Sequence, residues 1–426
     1  MRRLLFIILV MVVLASSTGG AVSAGSESVL ASNNWTRQSP YTAITKPEIK
    51  WNIAFNGAVR QMVIDSKGTI FALIDEYPYF KLKAIDPNGK IKWTTTLSIK
   101  SSNRGLYLYD DKFLIVAGEG ITNDSSLEYI GVLSKYTTEG ELVWENKYEN
   151  MRQGLFDEVS LDSDGFITFI VNYFAGTDKK NNSNTFIYKH RLIGVTSDGE
   201  MTVNKNLTLP DGSLPTQNTS PVFVKGNIYF SIFKFNKKSR NIDEGYLMKY
   251  TKDGKQLFSK HYKGYNLASP VYYNNLLYVI GGDSLYMYDV HGVLKKTIFE
   301  KRGSVNNWKG PSISEQGYIY YGQRVYDSNG KLLWGFNPFG IPAESSYLAT
   351  DNAVIDKKQN VIFPYMEAKA GYSSSRSGVI SLNIKTKKKN WVLPLYHSLH
   401  TPVAIGKDGT LYVAGTKLFA IGQKRG

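Results

Sequence analysis

Two histidines three residues apart, His397 and His400, form the one paired-imidazole spacing in a chain with five histidines. A turn can bring two such rings onto one ion, zinc above all, but a zinc site needs further ligands and no third is evident nearby. The run Asp162-Ser163-Asp164-Gly165 sets carboxylates at alternate positions, as a calcium loop does. A full loop of that kind needs more oxygens and a later bidentate Glu, whereas a tight hairpin turn accounts for the same residues. No Ser/His/Asp set, Gly-rich phosphate cradle or paired-carboxylate motif stands out. The chain has no cysteine, which excludes disulfides, thiolate metal sites, cysteine nucleophiles and lipidation at a cysteine.

Charge is the broadest chemical signal. The 426 residues carry a formal charge of +15. Such a chain suits anionic wall polymers, acidic polysaccharide or nucleic acid, unless the charge only serves solubility. Lysine is spread along the chain except for one dense cluster, Lys385, Lys387, Lys388 and Lys389, in an expected hairpin turn. The N-terminus has the pattern of an export leader. Arg2 and Arg3 precede the apolar run Leu4–Leu14, and Val22-Ser23-Ala24 offers small residues for cleavage after Ala24. The apolar run is short for a bilayer span, so no stable membrane insertion is expected. Removing residues 1–24, with two arginines and no acid, leaves +13. A secreted, extracellular or cell-wall-associated protein is expected, probing its surroundings as a monomer.

The elements that must position these residues are short strands. Aromatic residues make up 13% of the chain, with 29 tyrosines, and they favour strands and fill gaps between sheets. No long helical periodicity follows the leader. One local pattern recurs: a polar turn, a short strand of Ile, Leu, Tyr and Phe, a variable stretch, a strand, an Asp-x-x-Gly turn, and a strand often ending in Trp. Its starts include Lys67–Phe71, Lys112–Ile115, Asp164–Ile167, Gly226–Tyr229, Asn275–Tyr278, Gln316–Tyr320, Gln359–Phe363 and Asp408–Tyr412. Asp/Asn-Gly turns supply the backbone angles that tight hairpins need. Trp51, Trp93, Trp144, Trp334 and Trp391 occupy one repeat position, where a large ring can wedge between neighbouring sheets. Pro221, Pro270, Pro311 and Pro402 precede strands, where proline costs no ladder bond. The eighth copy lacks its Trp-ended strand, while Pro47–Trp51 is such a strand without a repeat. The expectation is an all-β fold, a single eight-bladed β-propeller over residues 47–426. An N-terminal strand would complete its last blade, after a linker at 25–46.

The segment Ala84-Ile85-Asp86 with Gly89-Lys90 and Trp93 resembles the tryptophan-docking repeat of the quinoprotein (PQQ-like) propeller family. It is one residue shorter than the eleven-residue form. The stretch Ser381–Trp391 has the full length but carries Lys387 where the family has Gly. The resemblance runs over roughly residues 47–422. It implies the propeller fold; in the family's enzymes it also implies PQQ, a calcium ion, a catalytic Asp and a disulfide stacked on the cofactor. This chain cannot form the disulfide, and no calcium ligand set is legible, so neither PQQ nor calcium is expected and the non-enzymatic relatives are the better match.

In a propeller, residues just before each inner strand ring one channel mouth. Here these are Arg60, Arg104, Asn218, Asn266, Trp308, Tyr347 and His400. They suit a polar or anionic ligand, or line a water-filled hole. Polar insertions at Thr177–Asn184 and Lys234–Asp243 read as contact loops or mobile ones. The leading expectation is a non-catalytic binding or scaffold protein for a protein partner or anionic wall polymer. A quinone-dependent dehydrogenase or polysaccharide-active enzyme is the alternative, and an accessory factor for a nucleic-acid enzyme a third. Direct nucleic-acid binding is not expected, since no ordered single-strand groove is legible.

Overall fold

In the computed structural model the described residues are 37–99, 101–121, 129–148, 159–178, 185–236, 241–299, 310–321, 324–335, 346–348, 353–369 and 376–425. They are all-β, with no helix among them, and form eight antiparallel sheets of four or five strands. Each sheet is one blade of a propeller ring.

Blade 1 shows the plan. Its strands Ala58–Ile64, Ile70–Glu76, Tyr79–Ile85 and Ile91–Thr96 pair in chain order. Burial falls from the second strand to the fourth: Ile70–Ile74 are all buried, while Ile91–Thr96 alternates exposed and half-buried. The last strand is therefore the perimeter of the ring. Blades 2 to 7 start at Ser101, Ser160, Gln217, Val271, Ser312 and Ser346 and end at Tyr148, Asn206, Lys263, Phe299, Gly335 and Pro394.

Blade 8 takes its strands from both ends of the chain. Ala404–Ile405, Leu411–Ala414 and Lys417–Gln423 are joined by Pro47–Ala54, which pairs antiparallel with the last of these from Pro47 opposite Gln423 to Ala54 opposite Lys417.

The core is a circuit. Seven apolar clusters among the described residues each span neighbouring blades. Leu82 and Leu106 share a cluster between blades 1 and 2, and Ala420 and Ile70 share one between blades 8 and 1. A blade sheet buries both faces only when it has two neighbours, so the apolar residues of the inner strands favour the ring. Polar clamps add register. The buried Gln61 amide exchanges two hydrogen bonds with the Leu106 backbone, at 2.9 and 3.1 Å, across blades 1 and 2.

The stretch expected as a linker, 25–46, is described from residue 37. From there to Ile44 it packs on blades 7 and 8. Arg37, Ser39, Ala43 and Ile44 are buried, Ser39 N–H bonds the Ile355 carbonyl at 2.8 Å, and Ala43 N–H bonds Asp356 Oδ2 at 3.0 Å. The polar insertions begin and, in one case, end in strand: two blades lengthen into hairpins, Ile167–Asp178 with Thr185–Val195 and Asn227–Asn236 with Asn241–Thr251. Their tips, 179–184 and 237–240, lie outside the described residues, as does the leader read at 1–24.

Candidate functional site

The repeated tryptophans all sit on perimeter strands and reach the next blade. The indole N–H donates to a turn carbonyl there: Trp51 to Pro87 at 2.8 Å, Trp93 to Thr138 at 3.0 Å, Trp144 to Ser197 at 3.1 Å and Trp334 to Ile384 at 3.1 Å. Trp391 donates to Ile44 in the N-terminal stretch, at 3.2 Å. The rings of Trp51, Trp93 and Trp144 lie on Gly89, Gly140 and Gly199, where a Cβ would meet the indole at about 3 Å. These glycines also have φ near +90°, so the turn needs glycine twice over. Strand register places Val203, Phe258 and Lys296 at the same position in blades 3 to 5. Phe258 has no donor, and the Val290 carbonyl beneath it is bonded instead by Lys249 and Tyr229, at 3.1 and 3.0 Å.

Of the seven residues expected at the channel mouth, the side chains of Arg60, Asn218, Asn266 and His400 are described. Arg60 is tied to Asp75 by bonds of 2.5 and 3.2 Å. Asn218 is buried and meets His190 Nδ1 at 2.8 Å, and burial pushes the His190 pKa down, so the ring is neutral. Asn266 Oδ1 accepts from Ala268 N–H at 2.8 Å. Exposed His400 is anchored by its backbone to Ala414. Arg104 lies in the strand Ser101–Tyr109 and Tyr347 in Ser346–Leu348; Trp308 is outside the described residues.

The metal candidates have other partners. The His397 ring packs on Phe419, with centroids 5.5 Å apart. Asp162 Oδ1 caps its own turn through the Asp164 and Phe166 amides, and the Lys252 ammonium sits between Asp162 and Asp164. No group of three or more His, Asp or Glu able to hold a metal occurs among the described residues.

Blade 7 carries the chemistry that the lysine cluster hinted at. Its strands Asn360–Lys369 and Arg376–Asn383 are neighbours, which sets the turn before the first beside the turn after the second. The Ile384 N–H to Gln359 carbonyl bond, 3.1 Å, joins the two turns. Lys387 has φ of 59°, the backbone state that glycine holds in the other blades, which explains how the substitution is accommodated. Lys357, Lys358, Lys385 and Lys387 are exposed on these turns, Lys388 and Lys389 are exposed at the start of the strand that follows, and Lys407 occupies the corresponding turn of blade 8.

Among the described residues none of these seven ammonium groups is in an ion pair, although Lys83, Lys112, Lys147, Lys234, Lys252 and Lys295 elsewhere all are. The local acids are occupied. Buried Asp356 accepts from Asn360 N–H at 2.7 Å, Asn360 Nδ2 at 2.9 Å and Ala43 N–H at 3.0 Å. Asp408 accepts from the Thr410 amide and hydroxyl, at 3.0 and 2.8 Å. Between the turns lies a groove of about 650 Å³ lined by Lys357, Lys358 and Lys385, by amides of Gln316, Gln359, Asn360, Asn383 and Asn390, and by Ile44, Thr45 and Trp391. Dense cations without internal counter-charges, over a polar floor, can hold an anion.

Compared with known protein families the chain matches none, and no curated protein matches it. Among solved structures it is similar to the WD40 propeller domain of Doa1, at 10% identity over 89% of this chain and 98% of that one, with a TM-score of 0.44. The Dos1 propeller gives 12% identity, 90% and 96% coverage and 0.46. The WD40 domain of Neurospora crassa Pan2 gives 12%, 91% and 98%, and 0.42.

Proposed function

We propose that this propeller is a non-catalytic binding protein whose ligand is a polyanion held on the blade 7 end. The observation that carries the reading is the set of seven exposed lysines on blades 7 and 8, none ion-paired among the described residues, three of which, Lys357, Lys358 and Lys385, line a polar groove. Lysines without an ion pair among the described residues occur elsewhere too; what sets this face apart is their density on paired neighbouring segments, where like charges add to one positive field. We take residues 1–24 as an export leader, so the polymer is extracellular, an anionic wall polymer; fractionation of a tagged full chain between cytoplasm, wall and medium checks this.

The test is binding of the purified protein to polygalacturonate at low and at physiological salt. Replacing Lys357, Lys358 and Lys385 together with Ala removes three exposed contacts of roughly 0.5–1 kcal/mol each, so the affinity falls roughly 10- to 100-fold. The triple variant Lys112→Ala, Lys147→Ala, Lys295→Ala carries the same charge change and leaves binding within about twofold. Equal losses in both variants, or no salt dependence in the wild type, contradict the reading. Binding of a protein partner at this face with no response to polyanions also overturns it.

A further inference from the structure

We infer that the blade 7 groove recognises a hydroxylated anion, a sugar acid or polyol phosphate unit, rather than negative charge alone; this rests on the polyanion reading above. The first observation is the mixture of donors. The lining mixes lysines with amides and an indole, and a charge-only site has no use for the latter two. The Trp391 ring, almost wholly buried, contributes to the floor, where an apolar sugar face can rest.

The second observation is Gln359. It is 3% exposed, it lines the groove, and its Oε1 is a buried acceptor with no hydrogen-bond partner among the described residues. Its φ of 65° is a strained state for glutamine, which the turn holds by Gln359 N–H to the Asp356 carbonyl at 2.9 Å. Buried acceptors without partners are rare in folded proteins. The neighbouring amides show the contrast. Asn360 Oδ1 accepts from both Asn383 and Asn390, at 3.0 and 2.9 Å, and Asn383 Oδ1 accepts from the amides of Lys385 and Thr386. These two are satisfied by the fold and hold the groove rigid, whereas Gln359 Oε1 is left for a donor. Lysine ammoniums supply donors to an anion; an acceptor among them selects an O–H beside that anion.

The experiment compares four probes of matched length on the full chain by calorimetry: polygalacturonate and poly(glycerol phosphate), which carry hydroxyls, and polyacrylate and inorganic polyphosphate, which carry none along the chain. The wild type is expected to bind at least one hydroxylated probe at least tenfold more tightly than both hydroxyl-free ones, and the better of the two hydroxylated probes identifies the anion. Gln359→Met keeps the length and removes the acceptor. It is expected to abolish the preference, weakening the hydroxylated probe at least tenfold more than polyphosphate, and to hold or raise the melting temperature. Gln359→Glu, which keeps an acceptor, is expected to retain the preference at reduced affinity. Equal binding of all four probes overturns the hydroxyl inference while leaving polyanion binding intact. Binding of none overturns the reading beneath it. A melting temperature lowered by Gln359→Met shows the amide to be structural and overturns the inference.

Discussion

The indole of Trp93 does two things at once. Its face covers Gly140, and its N–H satisfies the Thr138 carbonyl, so one side chain both fills the seam between blades and removes an orphan acceptor. Of the five docking tryptophans only Trp391 is buried, at 9% exposure; the other four are half-buried. The costs of removal differ accordingly. Trp391→Ala is expected to lose about 3–5 kcal/mol, the range for a buried aromatic, and Trp93→Ala about 1–3 kcal/mol. Urea midpoints measured on the two variants check the order, and equal losses would show that burial does not set the cost. The five tryptophans were legible because one residue type recurs at one place. Val203, Phe258 and Lys296 were not, because their position is defined by strand register rather than by side-chain type. The partners of the channel-mouth residues were not legible for a related reason. Asn218 and His190 are 28 residues apart, on different blades, and only the packed ring shows that each is the other's partner.

At the scale of elements, the pattern of short strands and Asp-x-x-Gly turns was enough to give eight blades, since period-2 burial and hairpin turns are local properties. The groove on blade 7 was half legible. The cluster at Lys385–Lys389 was visible in sequence, but its neighbours Lys357, Lys358 and Gln359 come from a turn more than twenty residues earlier, joined to it through strand pairing. The N-terminal stretch was read as a linker because residues 37–46 carry no strand periodicity; their burial comes from contacts with blades 7 and 8 far along the chain. Two elements at that end therefore act together, the packed stretch and the strand Pro47–Ala54. Deleting residues 25–56 strips the outer strand from blade 8, exposes the edge of Lys417–Gln423 and takes the cover from Trp391. The melting temperature is expected to fall sharply, by ten degrees or so or more on the usual scale for several kcal/mol. An unchanged melting temperature would show that this strand does not fasten the ring.

For the whole molecule, the seams between blades also set the response to alkali. Burial raises the pKa of Tyr136, Tyr250, Tyr278, Tyr288 and Tyr412 from 10.0 to about 12. A folded-state pKa above the unfolded one means that the neutral phenol is favoured by folding. The stability that this gives is full below about pH 10 and is lost as pH rises through 12. Tyrosinate absorbance is expected to rise in two stages, with exposed phenols ionising first and the buried group only as the ring opens. A single smooth titration centred near pH 10 with native circular dichroism would contradict the buried seams.

The same ring holds blade 7's two turns side by side, and the central claim is that a polyanion binds there. Hydrogen exchange of the full chain, followed by mass spectrometry with and without saturating polygalacturonate, reads the contact directly. The account predicts slowed exchange confined to peptides covering 355–360 and 383–391, with the adjoining turn around Lys407 affected less, and no change in blades 1 to 4. Protection centred on the opposite end of the ring, or none at saturating ligand, would contradict it.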